Sequence, residues 1–157
     1  MGVMMALDVG EKRIGVATSD ALGIIATPLT TVHREGAAQA VSDIAGLVRD
    51  YAAETLVVGL PITLRNTHSR QTQKVTSFVD KLKDALDIPV VVWDERLTTA
   101  EATRILRGHD DGRRRGSSTK RQRRVKENVD QVAAALILEA YMAAHPNRAA
   151  SPVTEDA

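Results

Sequence analysis

The first two apolar runs of the chain are joined by a link too short for anything but a reversal. Val3–Val9 reads as a buried strand closed by Asp-Val-Gly, and Arg13–Ser19 as a second strand rich in Ile and Val. The link GEKR carries Gly10, so the pair is expected to form an antiparallel hairpin. A third, β-branched run, Ile24–Val32, contains Pro28, which cannot donate to a ladder and therefore belongs on a sheet edge.

Beyond that point the apolar period changes. Ala38, Val41, Ile44, Ala45 and Val48 follow helical spacing within EGAAQAVSDIAGLVRDYAA. TLVVGLP is a short buried strand stopped by Gly59 and Pro61. A helix is expected from about Ser69 to Leu86, with Val75, Phe78, Val79 and Leu82 on one face. IPVVVWDE is another buried strand, with Trp93 as a core residue. TTAEATRILRG opens with a capping box of Thr98 and Glu101, and Gly108 ends that helix. Residues 109–124 lack apolar periodicity and read as a mobile loop, followed by a last helix from about Lys126 to Ala143.

Strands linked by short turns run antiparallel, and strands reached through helices run parallel to the first. The expected fold is therefore α/β: a five-stranded mixed sheet, three antiparallel strands plus two parallel, flanked by helices. The length of 157 residues favours one domain, placed at residues 1–145, and the polar tail over 146–157 is expected to be disordered.

Composition excludes several chemistries. There is no cysteine, which removes disulfides, thiolate metal sites and cysteine nucleophiles together. No apolar run approaches bilayer length and no secretory signal is visible, so no membrane is expected and the location is expected to be cytoplasmic. Aromatic residues make up 3% of the chain, so base stacking is a poor candidate for a main source of affinity. Net charge is only +1, yet nine cations fall between Arg107 and Lys126. Among them Arg113, Arg114, Arg115, Lys120, Arg121, Arg123 and Arg124 form the densest block, a solvated segment or a contact for a polyanion.

Three acids stand where the expected topology brings chain segments together. Asp8 ends the first strand and Glu95 ends the last, and ligands of open α/β sheets bind at the carboxyl ends of strands. Asp130 lies early in the last helix, about 100° round from Val129 at the border of the apolar stripe. Buried carboxylates repel one another, and a hard divalent cation resolves that repulsion. Oxygen-only ligands suit Mg²⁺ or Mn²⁺, and two such ions about 4 Å apart can clamp both oxygens of a phosphodiester displacement. Each acid also has an ordinary role: Asp8 as a turn former, Glu95 as a partner of Arg96 or of a helix dipole, and Asp130 as a first-turn helix acid. Lys12 and Arg13, in the hairpin link, are candidates for meeting a phosphate or simply for facing solvent.

Four blocks, ALDVGEKRIGVATSD, LVVGLP, VVWDERLTTAEA and KENVDQVAAALILEAYM, resemble the YqgF family of ribonuclease H-like proteins. The blocks fall in family order from Leu7 to Met142. The resemblance implies a ribonuclease H-like fold and metal-dependent phosphodiester hydrolysis, in maturing pre-16S ribosomal RNA or in resolving Holliday junctions. It implies that Asp8, Glu95 and Asp130 are the catalytic metal ligands, and it matches Gly10, Lys12, Arg13, Gly15, Gly59 and Pro61 to family positions. One block departs from the pattern: after GLP the chain reads ITLRNTHSRQT, without the acid and glycine of the family loop.

The implied partner is nucleic acid, structured RNA or branched DNA, and the chain is a monomer or a homodimer. Two other classes stay open. A non-catalytic nucleic-acid-binding module would keep the fold without the chemistry. An actin-like or sugar-kinase ATPase also places Asp-X-Gly after a first strand, but it needs two related domains, and no P-loop consensus occurs here.

Overall fold

The computed structural model describes residues 2–60, 70–94 and 120–145. Strands β1 (Val3–Val9), β2 (Arg13–Ser19) and β3 (Ala26–His33) are followed by helix α1 (Ala37–Asp50) and strand β4 (Ala53–Leu60). Helix α2 (Arg70–Ala85), strand β5 (Val90–Asp94) and helix α3 (Lys120–Ala144) complete the described elements. The sheet order is β3-β2-β1-β4-β5. The pairs β1–β2 and β2–β3 are antiparallel, and β1–β4 and β4–β5 are parallel. This is the mixed sheet expected from the sequence.

Alternation along β1 divides the core in two. Met5, Leu7 and Val9 join Ile44 of α1 and Phe78 and Leu82 of α2 on one face of the sheet. Ala6, with Ala17 and Val57, meets Ala134, Ala135, Leu138 and Tyr141 of α3 on the other. Small residues on both sides of that second interface let α3 lie close to the strands. Trp93 of β5 is partly buried against this layer, its ring 5.5 Å from that of Tyr141 in an edge arrangement.

Three local expectations shift. β3 starts at Ala26 rather than Ile24, because the amides of Ile24 and Ile25 donate to Asp20 Oδ1 at 2.7 and 3.0 Å and are taken up in the turn. Pro28 is on an edge strand as anticipated. β5 is also an edge strand, with Val92 42% exposed, so it is not buried on both faces. α3 begins at Lys120, so Lys120, Arg121, Arg123 and Arg124 belong to a helix and not to the expected loop. Lys, Arg and Gln are good helix formers. Apolar periodicity registers only turns that pack, so it misses such an extension. The readings made for the loop after Leu60, the capping box at Thr98 and the tail over 146–157 lie outside the described residues.

Helix α1 stops at a strained position. The amide of Tyr51 donates to the Leu47 carbonyl and that of Ala52 to the Arg49 carbonyl, and Ala52 has a φ of 51°. Only glycine adopts that left-handed conformation without strain. Ala52→Gly is therefore expected to stabilise the protein by about 0.5 kcal/mol, the relieved strain outweighing the added entropy of the unfolded chain. A urea titration giving lower stability for the variant would contradict this.

Candidate active site

One row of residues crosses the sheet at the C-terminal end of β1. Asp8 pairs with Gly15 on one side and Gly59 on the other, and Thr31 and Trp93 extend the row to β3 and β5. Strand alternation turns Asp8 toward the α3 face, the side of Ala6. Its two neighbours in the ladder, Gly15 and Gly59, have no side chains beyond hydrogen. Asp8 is nonetheless only 6% exposed.

Helix α3 covers that row. A Cβ on Gly15 would collide with the backbone carbonyl oxygen of Asp130. The helix therefore rests on the glycine, and Asp130 stands about one strand spacing, ~5 Å, from the line of β1. Two side-chain contacts hold the register. Arg13 Nε donates to Asp130 Oδ2 at 2.9 Å, and Gln131 Nε2 donates to Thr31 Oγ1 at 3.2 Å. The sheet rim thus gathers Asp8 and Asp130 from segments 122 residues apart in the chain.

The hairpin beside the row is tightly made. The Gly10 amide donates to the Arg13 carbonyl at 2.9 Å, leaving Glu11 and Lys12 as a two-residue loop. A Cβ at Gly10 would come 2.7 Å from the Arg13 carbonyl oxygen, so the turn needs glycine there. Lys12 is exposed at the tip. Arg34, which carried no motif in the sequence, donates from Nη1 to the Gly10 carbonyl at 2.9 Å. Its backbone amide donates to the Lys12 carbonyl at 2.9 Å, and its guanidinium lies 5.0 Å from the Phe78 ring centroid. Arg34 thereby ties the hairpin to α2, a role visible only once the fold is known.

Residues 2–144 match the family described as RuvX, Holliday junction resolvase. The chain belongs to the RuvX/YqgF family. A relative from Thermoanaerobacter pseudethanolicus, provisionally named pre-16S rRNA nuclease, is 43% identical over 145 residues, 92% of this chain and 99% of the relative. One from Syntrophus aciditrophicus with the same name is 46% identical over 139 residues, 88% of this chain and 87% of the relative. Among solved structures, Thermus thermophilus RuvC in complex with a Holliday junction substrate superposes with a TM-score of 0.53 at 17% identity, covering 92% of this chain and 96% of that one. The fowlpox virus resolvase with Holliday junction DNA gives 0.53 at 9% identity, covering 91% and 98%. These likenesses place the RuvX-family chain among RuvC-like folds of ribonuclease H type.

Of the twelve contact and ligand positions expected from the sequence, the structure fixes the side chains of Asp8, Lys12, Arg13 and Asp130 in this RuvX-family chain. Glu95, Arg113, Arg114 and Arg115 lie outside the described residues, Glu95 being the next residue after β5. Lys120, Arg121, Arg123 and Arg124 are placed on α3 by their backbone. Among the described residues no group of three metal-ligating side chains is gathered. The donor chemistry is still that of a hard cation: the carboxylates of Asp8 and Asp130 at one rim, with oxygen ligands alone. No described helix is long and apolar enough to cross a membrane.

Proposed function

We propose that this chain is a cytoplasmic, metal-dependent endonuclease that hydrolyses phosphodiester bonds of structured RNA, acting in maturation of the 5′ end of pre-16S rRNA. The observation that carries this is the buried Asp8 between two glycines, with Asp130 seated on Gly15 beside it. A carboxylate that is 6% exposed, inside a strand and paired on both sides in the ladder, suits a cation better than a turn. The names of the relatives support the RNA substrate.

In this reading Asp8, Glu95 and Asp130 would hold Mg²⁺ or Mn²⁺. Such an ion, when bound there, would supply Lewis-acid activation of water and offset negative charge on the phosphodiester. The protein's share is to keep the carboxylates in place before substrate arrives and to orient the strand. Lys12 and Arg13 flank the row from the hairpin. The cations Arg113, Arg114, Arg115, Lys120, Arg121, Arg123 and Arg124 follow the phosphate backbone with little preference for sequence.

Junction resolution is the second reading, favoured by the family's description and by the two resolvase folds. It needs a symmetric homodimer, whereas RNA trimming is open to a monomer. A precursor 16S rRNA fragment and a four-way DNA junction, each incubated with Mg²⁺ or Mn²⁺, separate the two. Metal-dependent cutting of the RNA alone is the expected result. Cutting of the junction alone would replace the first reading by the second. Binding without any cutting would leave a nucleic-acid-binding module.

A further inference from the structure

We propose that Arg13 is a positioning residue that occupies the metal-facing side of Asp130 until a substrate phosphate draws it away, so that metal and nucleic acid bind cooperatively. The inference rests on the proposed metal site and names a regulation of it. Arg13 Nε lies 2.9 Å from Asp130 Oδ2, with the two side chains 31% and 14% exposed. The pair is half-sheltered at the row that contains Asp8, where Asp130 overlies Gly15 and Arg13 begins β2.

A guanidinium on a carboxylate puts a positive charge where a divalent cation would bind, and the two repel. Arg13 must therefore turn aside, or Asp130 must share its oxygens, before the ion is fully held. Arginine has a better partner in prospect. Its planar fork matches phosphate in a two-point contact, and it stays charged at any physiological pH. Among the described residues the Arg13 side chain donates from Nε alone, so its terminal nitrogens stand ready at a partly exposed position. A phosphate at the rim gives the guanidinium an alternative and releases Asp130. By linkage, whatever factor the nucleic acid adds to metal affinity, the metal adds to nucleic-acid affinity. Couplings of this kind commonly run about 5- to 150-fold.

Direction of effect separates this from a merely structural role. If Arg13 only held Asp130 in place, its loss would weaken metal binding, as loss of supporting partners around a metal commonly does by about 10- to 100-fold. If Arg13 competes with the metal, its loss tightens binding. Mn²⁺ titrations followed by electron paramagnetic resonance test this without any cleavage. The probes are Mn²⁺ alone and Mn²⁺ with a slowly cleaved phosphorothioate RNA, and the chains are wild type, Arg13→Gln, Arg13→Lys and Asp8→Asn. Arg13→Gln is expected to bind Mn²⁺ about tenfold more tightly without RNA and to lose the gain that RNA gives the wild type. Arg13→Lys, which keeps the charge but not the two-point fork, should bind Mn²⁺ like wild type without RNA and gain less from RNA. Unchanged or weaker Mn²⁺ binding by a folded Arg13→Gln would overturn the proposal while leaving the metal site intact. Absence of Mn²⁺ binding in wild type, with no effect of Asp8→Asn, would overturn the metal site itself and the proposal with it.

Discussion

Asp8→Asn is expected to abolish metal-dependent cleavage while leaving the protein at least as stable as before. Asn fills the same space between Gly15 and Gly59 but offers one neutral oxygen where the carboxylate offers two charged ones. Loss of about 4 kcal/mol of transition-state stabilisation corresponds to about a thousandfold in rate, the scale expected for a metal ligand. Stability should move the other way or not at all. A charged group that is 6% exposed carries a desolvation cost that the amide avoids. Single-turnover cleavage and a thermal melt on the same preparation check both halves. Retained cleavage would remove Asp8 from the chemistry. A large drop in melting temperature would make its role structural.

Gly15→Ala should damage fold and site together. The added methyl meets a backbone carbonyl, that of Asp130, and backbone cannot swing aside as a long side chain can. Either α3 lifts from the sheet or β2 sinks, and overpacking of this kind costs about 2 kcal/mol. For a chain of this size that lowers the melting temperature by about 4–8 °C. The displaced helix carries Asp130 with it, and a shift near 1 Å at a reacting centre can cost about a hundredfold in rate. The protein's one tryptophan reports on the same event, because Trp93 packs edge-on against Tyr141 of α3. Lower stability, altered Trp93 fluorescence and reduced cleavage should appear together. A variant with wild-type fluorescence and wild-type cleavage would show that α3 does not depend on this contact.

Local signals carried much of the fold into the sequence. The GEKR link admits only a reversal, and the β1–β2 register from Met5↔Thr18 to Val9↔Ile14 follows from it. Pro28 marked an edge because a missing amide is a local property. The start of α3 was hidden, because a helical turn with no apolar face leaves no period to detect. The start of β3 was hidden too, because Asp20 captures two amides that β-branched Ile24 and Ile25 would otherwise give to a strand.

At the site, Asp8 stands at the strand end where the sequence put it, whereas Asp130, expected early in the last helix, lies well inside a helix that already begins at Lys120. What surrounds the two acids was not legible. The Arg13–Asp130 pair joins residues 117 positions apart, and nothing in either neighbourhood announces the other. Gly15 read as one small residue in a strand, and its purpose appears only when a helix backbone is found lying on it. Arg34 likewise gained a role only when the hairpin, α1 and α2 were brought together.

The distance along the chain between Asp8 and Asp130 also sets a clock. The strand that carries the first acid leaves the ribosome early, and the helix that carries the second is the last described element to be made. At synthesis rates of about 5–20 residues per second, roughly 6 to 24 s separate the two. Throughout that interval the nascent chain presents Asp8 on a sheet whose alanine-lined face has nothing to cover it. On the proposed reading the acids of the site therefore cannot meet while the chain is still being made, and they come together only when the final helix docks.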